Sequence, residues 1–383
     1  NYYLFPDDWS YKEDGETPSV LDGTDGTVRV NTPKFYGKSG SDGNKRWVRT
    51  STVKIDDSWV EIPELLIDAY RSTVDTTVSA TPKAVSVVNT TTAFRGGGNR
   101  ANYDDYLTTE LETKDIFRSD LGKPRTNISR ATMRTYATNA GSELLCYEYY
   151  KWIFYWNYVI EYANFNSQAA YNAELTSDGY RQGGLGPGVT DWSNSATSWS
   201  GYNGTYPITP CGYCNDIGNF TGIKDLVIPE CTATNETDTV ATKTFKVPRW
   251  RGFDNPFGDI WTNLDGVVIQ RTAANEISSV YTTTNKEEFT DVIGSKTIAG
   301  YEVAQDGYIK EFDLGETAEI IPSSCTGAST TTYMCDYHYC NTSYTALRTL
   351  RVGGGASNGG NAGLGCFISS FDVGGAGSFV GFR

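Results

Sequence analysis

Histidine and methionine are almost absent from this sequence, which has one His (His338) and two Met among 383 residues. Histidine is the commonest general base near neutral pH, and no Ser or Cys motif accompanies this one. The shortage therefore disfavours an enzyme that relies on nucleophilic or acid–base catalysis. We expect His338 to be a hydrogen-bonded or exposed side chain.

Positively charged residues are also scarce. The sequence has 32 Lys and Arg but 46 Asp and Glu, which gives a net charge of −14. No cluster of Lys or Arg reverses this balance locally, so binding to nucleic acid or to an anionic membrane is disfavoured. The sequence also has no apolar run long enough to span a bilayer. We therefore expect no nucleic-acid partner and no membrane insertion.

The abundant residues are Gly (40), Tyr (26) and Trp (9), together with Asn, Thr and Ser. This composition is typical of a loop-rich, β-containing extracellular or virion protein. Tyr, Ser, Gly and Asn are also the residues that adaptable binding loops use. The length allows one large domain or two moderate ones with a sizeable core.

The first part of the chain is rich in Gly and Asp and predicts short strands. Thr27–Val30 and Trp47–Val53 alternate as strands do, while Trp59–Tyr70 predicts a short helix after Pro63. We place a boundary near residue 90. Residues 1–90 would then form a β-rich N-terminal region for attachment or assembly, and residues 91–383 the main domain.

Two helices are predicted after this boundary. Asn127–Ala140 begins with the cap candidates Asn127 and Ser129 and stops at Gly141. Glu143–Asn164 follows with its apolar residues at helical spacing, which predicts a scaffold helix. The residues of this stripe are Leu145, Tyr149, Trp152, Trp156, Ile160 and Ala163. Short alternating runs over Val280–Leu314 predict further strands.

The segment Arg249–Ile269 combines bulky aromatic residues with turn-forming ones. Trp250, Phe253, Phe257 and Trp261 are expected to bury a large area, and the residues between them turn the backbone. Its last residues predict a turn entering a buried strand. We interpret the segment as scaffold that holds loops on the core.

Zinc is a candidate ligand because Cys211 and Cys214 have ligand spacing and Cys335, His338 and Cys340 lie close together downstream. A structural zinc site needs four ligands in tetrahedral geometry, and the second half of this pattern is irregular. Disulfides or free buried thiols are therefore favoured over zinc.

Calcium is a candidate for Asp254, Asp259 and Asp265, whose oxygens are suitable ligands. Their spacing is not that of an EF-hand, and turn formation explains them equally well. We predict no cofactor, with a structural Ca²⁺ as the alternative kept open.

Three segments in order resemble the formylglycine-generating-type domains, a branch of the C-type lectin fold. Phe257–Trp261 with Leu264–Gly266 is similar to the family's GN(V/I)WEW segment and the aspartate that follows it. Leu350–Gly355 is similar to its RGGSW-type strand, and Val380–Arg383 is similar to its closing GFR. The two predicted helices lie where that fold has its own two.

A narrower resemblance is to the variable proteins of diversity-generating retroelements and to receptor-binding tail proteins of phages. The segments that show this resemblance are the C-terminal tail and Gly122–Arg134, Ile160–Gln168, Arg181–Gly186, Tyr206–Tyr213 and Arg249–Gly266. The resemblance implies an α+β, C-type lectin-like fold with two helices and short twisted antiparallel sheets, preceded by the β-rich N-terminal region. Residues 91–383 would be the ligand-binding domain.

In such proteins sequence changes concentrate between the GG strand and the final G-x-R, which is Ala356–Gly377 here. The glycines of this window would form tight turns that point the residues between them outward. The resemblance implies ligand contacts at Ser357, Asn358, Asn361, Leu364, Cys366, Phe367, Ser370, Phe371 and Asp372, flanked by Tyr337, His338 and Tyr339.

The oxidase members of this fold use a cysteine pair after the GG strand. Here only Cys366 lies in that region, while Cys335 and Cys340 precede it. Trp261–Asn263 also lacks the second Trp of the family's WEW. These departures favour a protein without enzyme activity, with a formylglycine-generating-type oxidase as the alternative.

The hypothesis that follows is an extracellular receptor-binding protein or adhesin, carried on a phage tail (virion) or on a bacterial cell surface. Its partner would be a bacterial surface receptor, either a glycan or a protein. We expect a homo-oligomer or an assembly within a virion or pilus. A structural virion or pilus component without its own ligand is the further alternative.

Overall fold

The computed structural model describes residues 2–43, 45–99, 119–167, 170–171, 209–229, 242–329, 332, 334, 336–356 and 358–383. Over these ranges the fold is mixed α+β, with short strands in several small sheets and two helices. Short 3₁₀ turns cover Thr92–Phe94, Asn215–Ile217, Lys286–Glu288 and Gly359–Asn361.

Seven strands form the first part of the chain: β1 (Arg29–Thr32), β2 (Phe35–Asp42), β3 (Lys45–Ser51), β4 (Val60–Ile62), β5 (Leu65–Asp68), β6 (Thr73–Asp75) and β7 (Lys83–Val85). β2 pairs with both β3 and β4, while β1 pairs with β5 and β6 with β7, all antiparallel. The strands predicted at Thr27–Val30 and Trp47–Val53 are confirmed as β1 and β3, each displaced by two residues.

The helix predicted over Trp59–Tyr70 is wrong, because the segment forms β4 and β5. Pro63 lies between them, and its missing N–H and fixed φ oppose a continuous helix. Ile62 and Ile67 are buried in the core, while Leu66 is 61% exposed. Pairing with neighbouring strands and one-sided burial therefore outweigh the local preference for a helix.

Later strands are β8 (Gly222–Pro229), β9 (Thr242–Trp250), β10 (Phe253–Asp254), β11 (Trp261–Asn263), β12 (Val267–Arg271), β13 (Ser278–Thr282), β14 (Thr297–Glu302), β15 (Gly307–Tyr308), β16 (Glu311–Asp313), β17 (Ile321–Ser324), β18 (Tyr337–Tyr339), β19 (Arg351–Val352), β20 (Phe367–Ile368) and β21 (Val380–Gly381). The strands predicted over Val280–Leu314 are confirmed.

The largest described sheet has six strands in the order β15-β18-β20-β19-β11-β21. It joins the central segment, through β11, to the C-terminal tail, through β19, β20 and β21. Two of its pairs, β18 with β20 and β11 with β21, are parallel. The expectation of antiparallel sheets is therefore wrong for these two pairs. Long connections between its strands make parallel pairing possible.

The first helix runs from Arg130 to Asn139 and confirms the prediction. Ser129 is its N-cap, because its hydroxyl oxygen accepts a hydrogen bond from the Thr132 N–H. Gly141 follows the helix with a φ of +72°, as a C-terminal glycine does. Met133 and Ala137 point into the core.

The second helix is α-helical over Tyr147–Tyr150, π-helical over Lys151–Trp156 and α-helical again over Asn157–Tyr162. It begins four residues after the predicted start, because Cys146 is extended and the backbone of Leu145 and Cys146 pairs with other segments. Leu145 N–H donates to the Arg383 carbonyl, and the Asp265 N–H donates to the Leu145 carbonyl. The backbone before the second helix thus makes hydrogen bonds to distant segments and does not continue the helix.

The π-helical turn changes which side of the second helix faces the core. All six residues of Lys151–Trp156 are buried, so this stretch has no solvent side. Ile160, predicted to lie on the apolar stripe, is 43% exposed. A π turn closes i→i+5 bonds and so shifts the face of every later residue. The stripe prediction is thus right for Trp152 and Trp156 and wrong for Ile160.

The main core contains residues from both sides of the predicted boundary near residue 90. Ile62 and Ile67 share one buried cluster with Trp152, Leu264 and Val352. β2 lies directly on the second helix, since a Cβ added at Gly37 would come within 2.4 Å of the Trp152 ring. The packing therefore shows no gap at the boundary, and the separate role of residues 1–90 stays a prediction.

The aromatic residues of the central segment form part of this core, as predicted. Trp250, Phe253, Phe257 and Trp261 are each at most 4% exposed. Two buried arginines from outside the segment bind its backbone. Arg71 donates to the Asn255 carbonyl at 3.0 Å, and Arg383 donates to the Asp254 carbonyl at 2.7 Å. The segment thus connects the N-terminal strands to the C-terminal tail.

Candidate ligand-binding surface

The strand β18 presents alternating side chains to the two sides of the six-stranded sheet. His338 is fully buried on one side, while Tyr337 and Tyr339 are half-buried on the other. The side with the tyrosines also carries Trp261 and Ile368, and the first helix covers another part of it through Met133. The tyrosines therefore lie where this side of the sheet is still partly open.

Three tyrosines and two asparagines form a connected group, which we call the Tyr–Asn surface (Tyr308, Tyr337, Tyr339, Asn358 and Asn361). The rings of Tyr308 and Tyr337 are 5.0 Å apart, and those of Tyr337 and Tyr339 are 4.4 Å apart. Both asparagine amides donate to the Tyr339 hydroxyl, at 2.8 and 3.1 Å. The Tyr308 hydroxyl donates to Asn361 Oδ1 at 2.5 Å. These hydrogen bonds hold the loop that contains Asn358 and Asn361 against the tyrosine side chains.

The turn that leads into this loop depends on glycine. Gly353 and Gly354 have φ values of +94° and +75°. A Cβ at Gly354 would come within 2.7 Å of the Ala362 Cβ, so a side chain is excluded there by space as well as by φ. The Gly355 N–H then donates to Asn358 Oδ1 at 2.7 Å. The positive φ values and the lack of space explain why glycines follow β19.

A second group, the Phe371 patch (Ser370, Phe371 and Asp372), contacts the same buried cluster as Tyr337 and Tyr339 through its Phe371 ring. The Arg351 guanidinium lies 4.2 Å from the centroid of the Phe371 ring and donates to the Gly375 carbonyl. Ser370 and Phe371 are half-buried, and Asp372 is exposed. We call the Tyr–Asn surface and the Phe371 patch together the C-terminal face.

Four of the contact positions implied by the resemblance are corrected by their burial. Leu364, Cys366, Phe367 and His338 are each 0% exposed. At β20 both sides of the sheet are covered, because Phe367 lies in one buried cluster and Ile368 in another. Buried side chains cannot offer area to a ligand, and these four are not part of the C-terminal face. Ser357 lies outside the described residues.

Cys366 also bears on the oxidase alternative. Burial raises the pKa of its thiol well above the usual value, and the nearby Asp336 charge raises it further. The thiolate, which is the reactive and metal-binding form of cysteine, is therefore strongly disfavoured. Cys335 lies outside the described residues. The oxidase alternative gains no support from Cys366.

His338 belongs to a buried network centred on Glu302. His338 Nε2 lies 3.0 Å from Glu302 Oε1, and Arg348 Nη2 lies 3.3 Å from Glu302 Oε2. Arg271 lies 3.7 Å from the same carboxylate, and the Ser369 hydroxyl donates to it. Burial by itself raises the pKa of Glu302, but His338, Arg348 and Ser369 together outweigh burial and lower it. The prediction that His338 is a hydrogen-bonded side chain is confirmed.

Glu302, His338 and Cys340 bring three ligand-type atoms within 4.8 Å of one another. However, Arg271 Nη2 lies 3.1 Å from Cys340 Sγ, and Arg348 pairs with Glu302. Two guanidinium groups at a cation site would repel the ion and already occupy the ligand atoms. The chemistry of this cluster thus fits an internal ion-pair network better than a metal site.

The CxxC pair considered for zinc is separated from that network. Cys211 and Cys214 are buried free thiols, and burial raises the pKa of both. Their Sγ atoms lie 3.6 Å from the Arg71 carbonyl and 3.8 Å from the Val247 carbonyl, respectively. Both thiols therefore act as small buried residues.

The three aspartates considered for calcium have three different environments. Asp254 pairs with Arg249 at 2.8 Å, and Asp265 pairs with Arg134 at 2.7 Å. Asp259 accepts from the Thr209 N–H at 3.3 Å, and burial raises its pKa to about 6. They do not converge as ligands of one ion.

A residue that the sequence did not single out, Asp336, holds the loop beneath the Tyr–Asn surface. Its Oδ2 accepts from the Gly365 N–H at 2.7 Å and from the Ser167 hydroxyl at 3.2 Å. Ser167 in turn accepts from the Leu364 N–H at 2.6 Å. Asp336 Oδ1 is buried and has no hydrogen-bond partner among the described residues. Burial raises the pKa of Asp336 to about 7.

This pKa makes stability depend on pH in a defined direction. The unfolded chain loses the Asp336 proton near the ordinary aspartate pKa of about 4, whereas the folded chain keeps it to about 7. The protonated Asp336 carboxyl therefore stabilises the folded chain at acidic pH, and this stabilisation is lost as the pH rises from about 4 to about 7. We expect Asp336→Asn to be more stable than the parent at pH 8, by up to about 4 kcal/mol, with little difference at pH 4.

Urea denaturation of both proteins at several pH values measures this difference. Asp372→Asn is the matched control, because it makes the same substitution at an exposed aspartate. A difference between Asp336→Asn and the parent that does not grow with pH would contradict the assignment.

No family model matches the chain, and no curated protein matches it in sequence. Within the described ranges, no helix has both the length and the apolar composition needed to cross a bilayer.

Proposed function

We propose that this protein is a non-enzymatic receptor-binding protein or adhesin that binds its ligand at the C-terminal face. The ligand would be a glycan or a protein on a bacterial cell surface. In this proposal residues 91–383 have a C-type lectin-like fold, as in the variable proteins of diversity-generating retroelements. The carrier would be a phage tail or another extracellular structure.

The observation that supports the proposal is that contacts among its own side chains hold the Tyr–Asn surface in place. Its tyrosine rings contact one another, and its two asparagines are bonded to them through Tyr339. Beneath it, Asp336 holds the Gly365 backbone. A surface that is ordered before binding loses little conformational entropy on binding. Half-buried tyrosines supply contact area, and the amides and Asp372 supply polar contacts.

The charge of the protein is consistent with recognition by contact. With a net charge of −14, long-range attraction would not draw this protein to an anionic surface. Neutral glycans and protein receptors can both be bound through aromatic and polar contacts. The Phe371 patch adds an aromatic ring, an exposed carboxylate and a hydroxyl beside the tyrosines.

We expect the triple variant Tyr337→Ala, Phe371→Ala and Asp372→Ala to lose binding to host cells. Truncating an aromatic hot-spot residue costs about 2 kcal/mol or more, and a loss of about 2 kcal/mol weakens affinity by about 30-fold. The measurement is binding of fluorescently labelled protein to intact candidate host bacteria by flow cytometry. Circular dichroism and thermal unfolding of the variant establish that it is folded.

The matched control is Tyr3→Ala with Phe220→Ala. These aromatic residues are 78% and 59% exposed and lie outside the C-terminal face. We expect this control to bind as the parent does. If the folded triple variant binds as well as the control, the proposed face is wrong. If the parent binds no candidate host, a structural role in a virion or pilus becomes the better interpretation.

A further inference from the structure

A cleft separate from the C-terminal face lies between β3, the second helix, β14 and β16. Its volume is about 960 Å³. Residues of the Tyr–Asn surface and the Phe371 patch do not line it. Sites for small organic ligands usually measure about 300–1,000 Å³, so the cleft has room for a chain of several sugar rings.

The floor of the cleft is aromatic and rigid. Trp156 and Phe312 are 4% and 5% exposed and support the floor from below, while Phe165 and Trp47 are half-buried and offer part of their rings. The Trp156 indole N–H donates to the Ala318 carbonyl at 2.7 Å, and the Phe312 ring meets the Tyr155 ring edge-on at 5.5 Å. Trp156 ends the π-helical turn, a feature that often marks functional sites. The floor is therefore formed before any ligand arrives.

The rim carries side chains that donate and accept hydrogen bonds. The charged residues that line the cleft are Arg46, Lys310, Glu311 and Asp313, so their formal charges cancel. Arg46, Lys310 and Glu311 are exposed. Among the ion pairs of the described residues, none involves these four. Their charged groups are thus available to a ligand, apart from Asp313.

Two strands hold the rim in place. Asp313 Oδ2 accepts from the Tyr301 N–H at 3.0 Å, and its Oδ1 accepts from the Gly315 N–H at 3.1 Å. This fixes β14 against the end of β16. Tyr301 is 47% exposed, so its ring is free to cover an apolar ring face.

We infer that this cleft binds a neutral oligosaccharide, as a second site beyond the proposed receptor-binding face. The partly exposed rings of Trp47, Phe165 and Tyr301 fit the C–H faces of sugar rings, and rim groups of both signs fit hydroxyls, which donate and accept. The cancelling charges of the rim favour neither a polyanion nor a polycation. The net charge of −14 further disfavours an anionic ligand.

The test uses the full chain and four neutral probes: maltohexaose, cellohexaose, mannohexaose and chitohexaose. Hexagalacturonic acid serves as the anionic probe. Isothermal titration calorimetry and saturation-transfer NMR measure binding. We expect at least one neutral probe to bind and the anionic probe not to bind. We expect Tyr301→Ala with Lys310→Ala to weaken that binding by about ten-fold or more.

Two control variants distinguish binding in the cleft from binding elsewhere on the protein. Ile298→Ala changes a residue of the same strand that is 48% exposed and does not line the cleft. Tyr337→Ala changes the proposed receptor-binding face. Both are expected to bind the saccharide as the parent does, so failure of the receptor-binding proposal leaves this result untouched. The inference is overturned if no neutral probe binds, if the anionic probe alone binds, or if the Tyr301/Lys310 variant binds unchanged.

Discussion

Replacing Glu302 with alanine is expected to lower the free energy of unfolding by about 3–5 kcal/mol, because the change leaves buried positive charge without its partner. Arg271, Arg348 and His338 surround this carboxylate, and all four side chains are 0% exposed. The Ser369 hydroxyl would lose its acceptor as well. The effect would be measured by urea denaturation near neutral pH.

Two further variants define the cause of this loss. Glu316→Ala removes an exposed carboxylate and should change stability by no more than about 0.5 kcal/mol. Glu302→Gln keeps the shape and one acceptor, so its cost should fall between the two. A loss below about 1 kcal/mol for Glu302→Ala would refute the central role of this residue. Destabilisation by a chelator of the parent, but not of Glu302→Ala, would instead indicate a metal at Glu302, His338 and Cys340.

Trp261→Ala is expected to cost about 3–5 kcal/mol, as truncation of a buried aromatic residue does. Trp261 is 4% exposed, and its ring meets the Tyr339 ring edge-on at 5.9 Å. Its backbone N–H also donates to the Phe379 carbonyl at 2.8 Å. The cavity would lie directly beneath the Tyr–Asn surface. Equilibrium denaturation of Trp261→Ala beside Trp261→Phe measures the loss, which should be clearly smaller for phenylalanine.

The same variant distinguishes a scaffold residue from a binding residue. As scaffold, Trp261→Ala should lose cell binding only to the extent that it unfolds, and should regain it at lower temperature. A Trp261→Ala protein that is as stable as the parent and yet does not bind would place Trp261 in the ligand-binding surface.

Features that depend on near neighbours in the chain are predicted well. The first helix follows from the Ser129 cap, its apolar spacing and Gly141, all within a few residues of each other. Burial of Trp250, Phe253, Phe257 and Trp261 follows from their size. The hydrogen bonds of His338 agree with its lack of a catalytic motif. Its burial, which removes it from the expected ligand contacts, is not predicted by the sequence.

Features that depend on distant partners are predicted poorly. Trp59–Tyr70 forms strands because β1 and β2 offer pairing partners. The second helix starts late because residues near Leu145 bond to Arg383 and Asp265. Nothing local to these segments reports those partners.

The candidate face is predictable as a region but not residue by residue. Glycine-rich sequence indicates tight turns, which the φ values of Gly353 and Gly354 confirm. The same pattern does not distinguish a displayed residue such as Asp372 from a buried one such as Phe367, because β20 is only two residues long. A strand this short leaves too little periodicity to identify a buried side.

The sequence by itself determined the mixed character of the fold, the first helix and the aromatic central segment, because composition, caps and side-chain size act locally. Only the tertiary structure decided which apolar tail residues are buried, and that Asp336 holds their loop. It also placed Glu302 between two arginines far from it in the chain. Burial and charge pairing depend on what other segments bring to a position, and that information is not local.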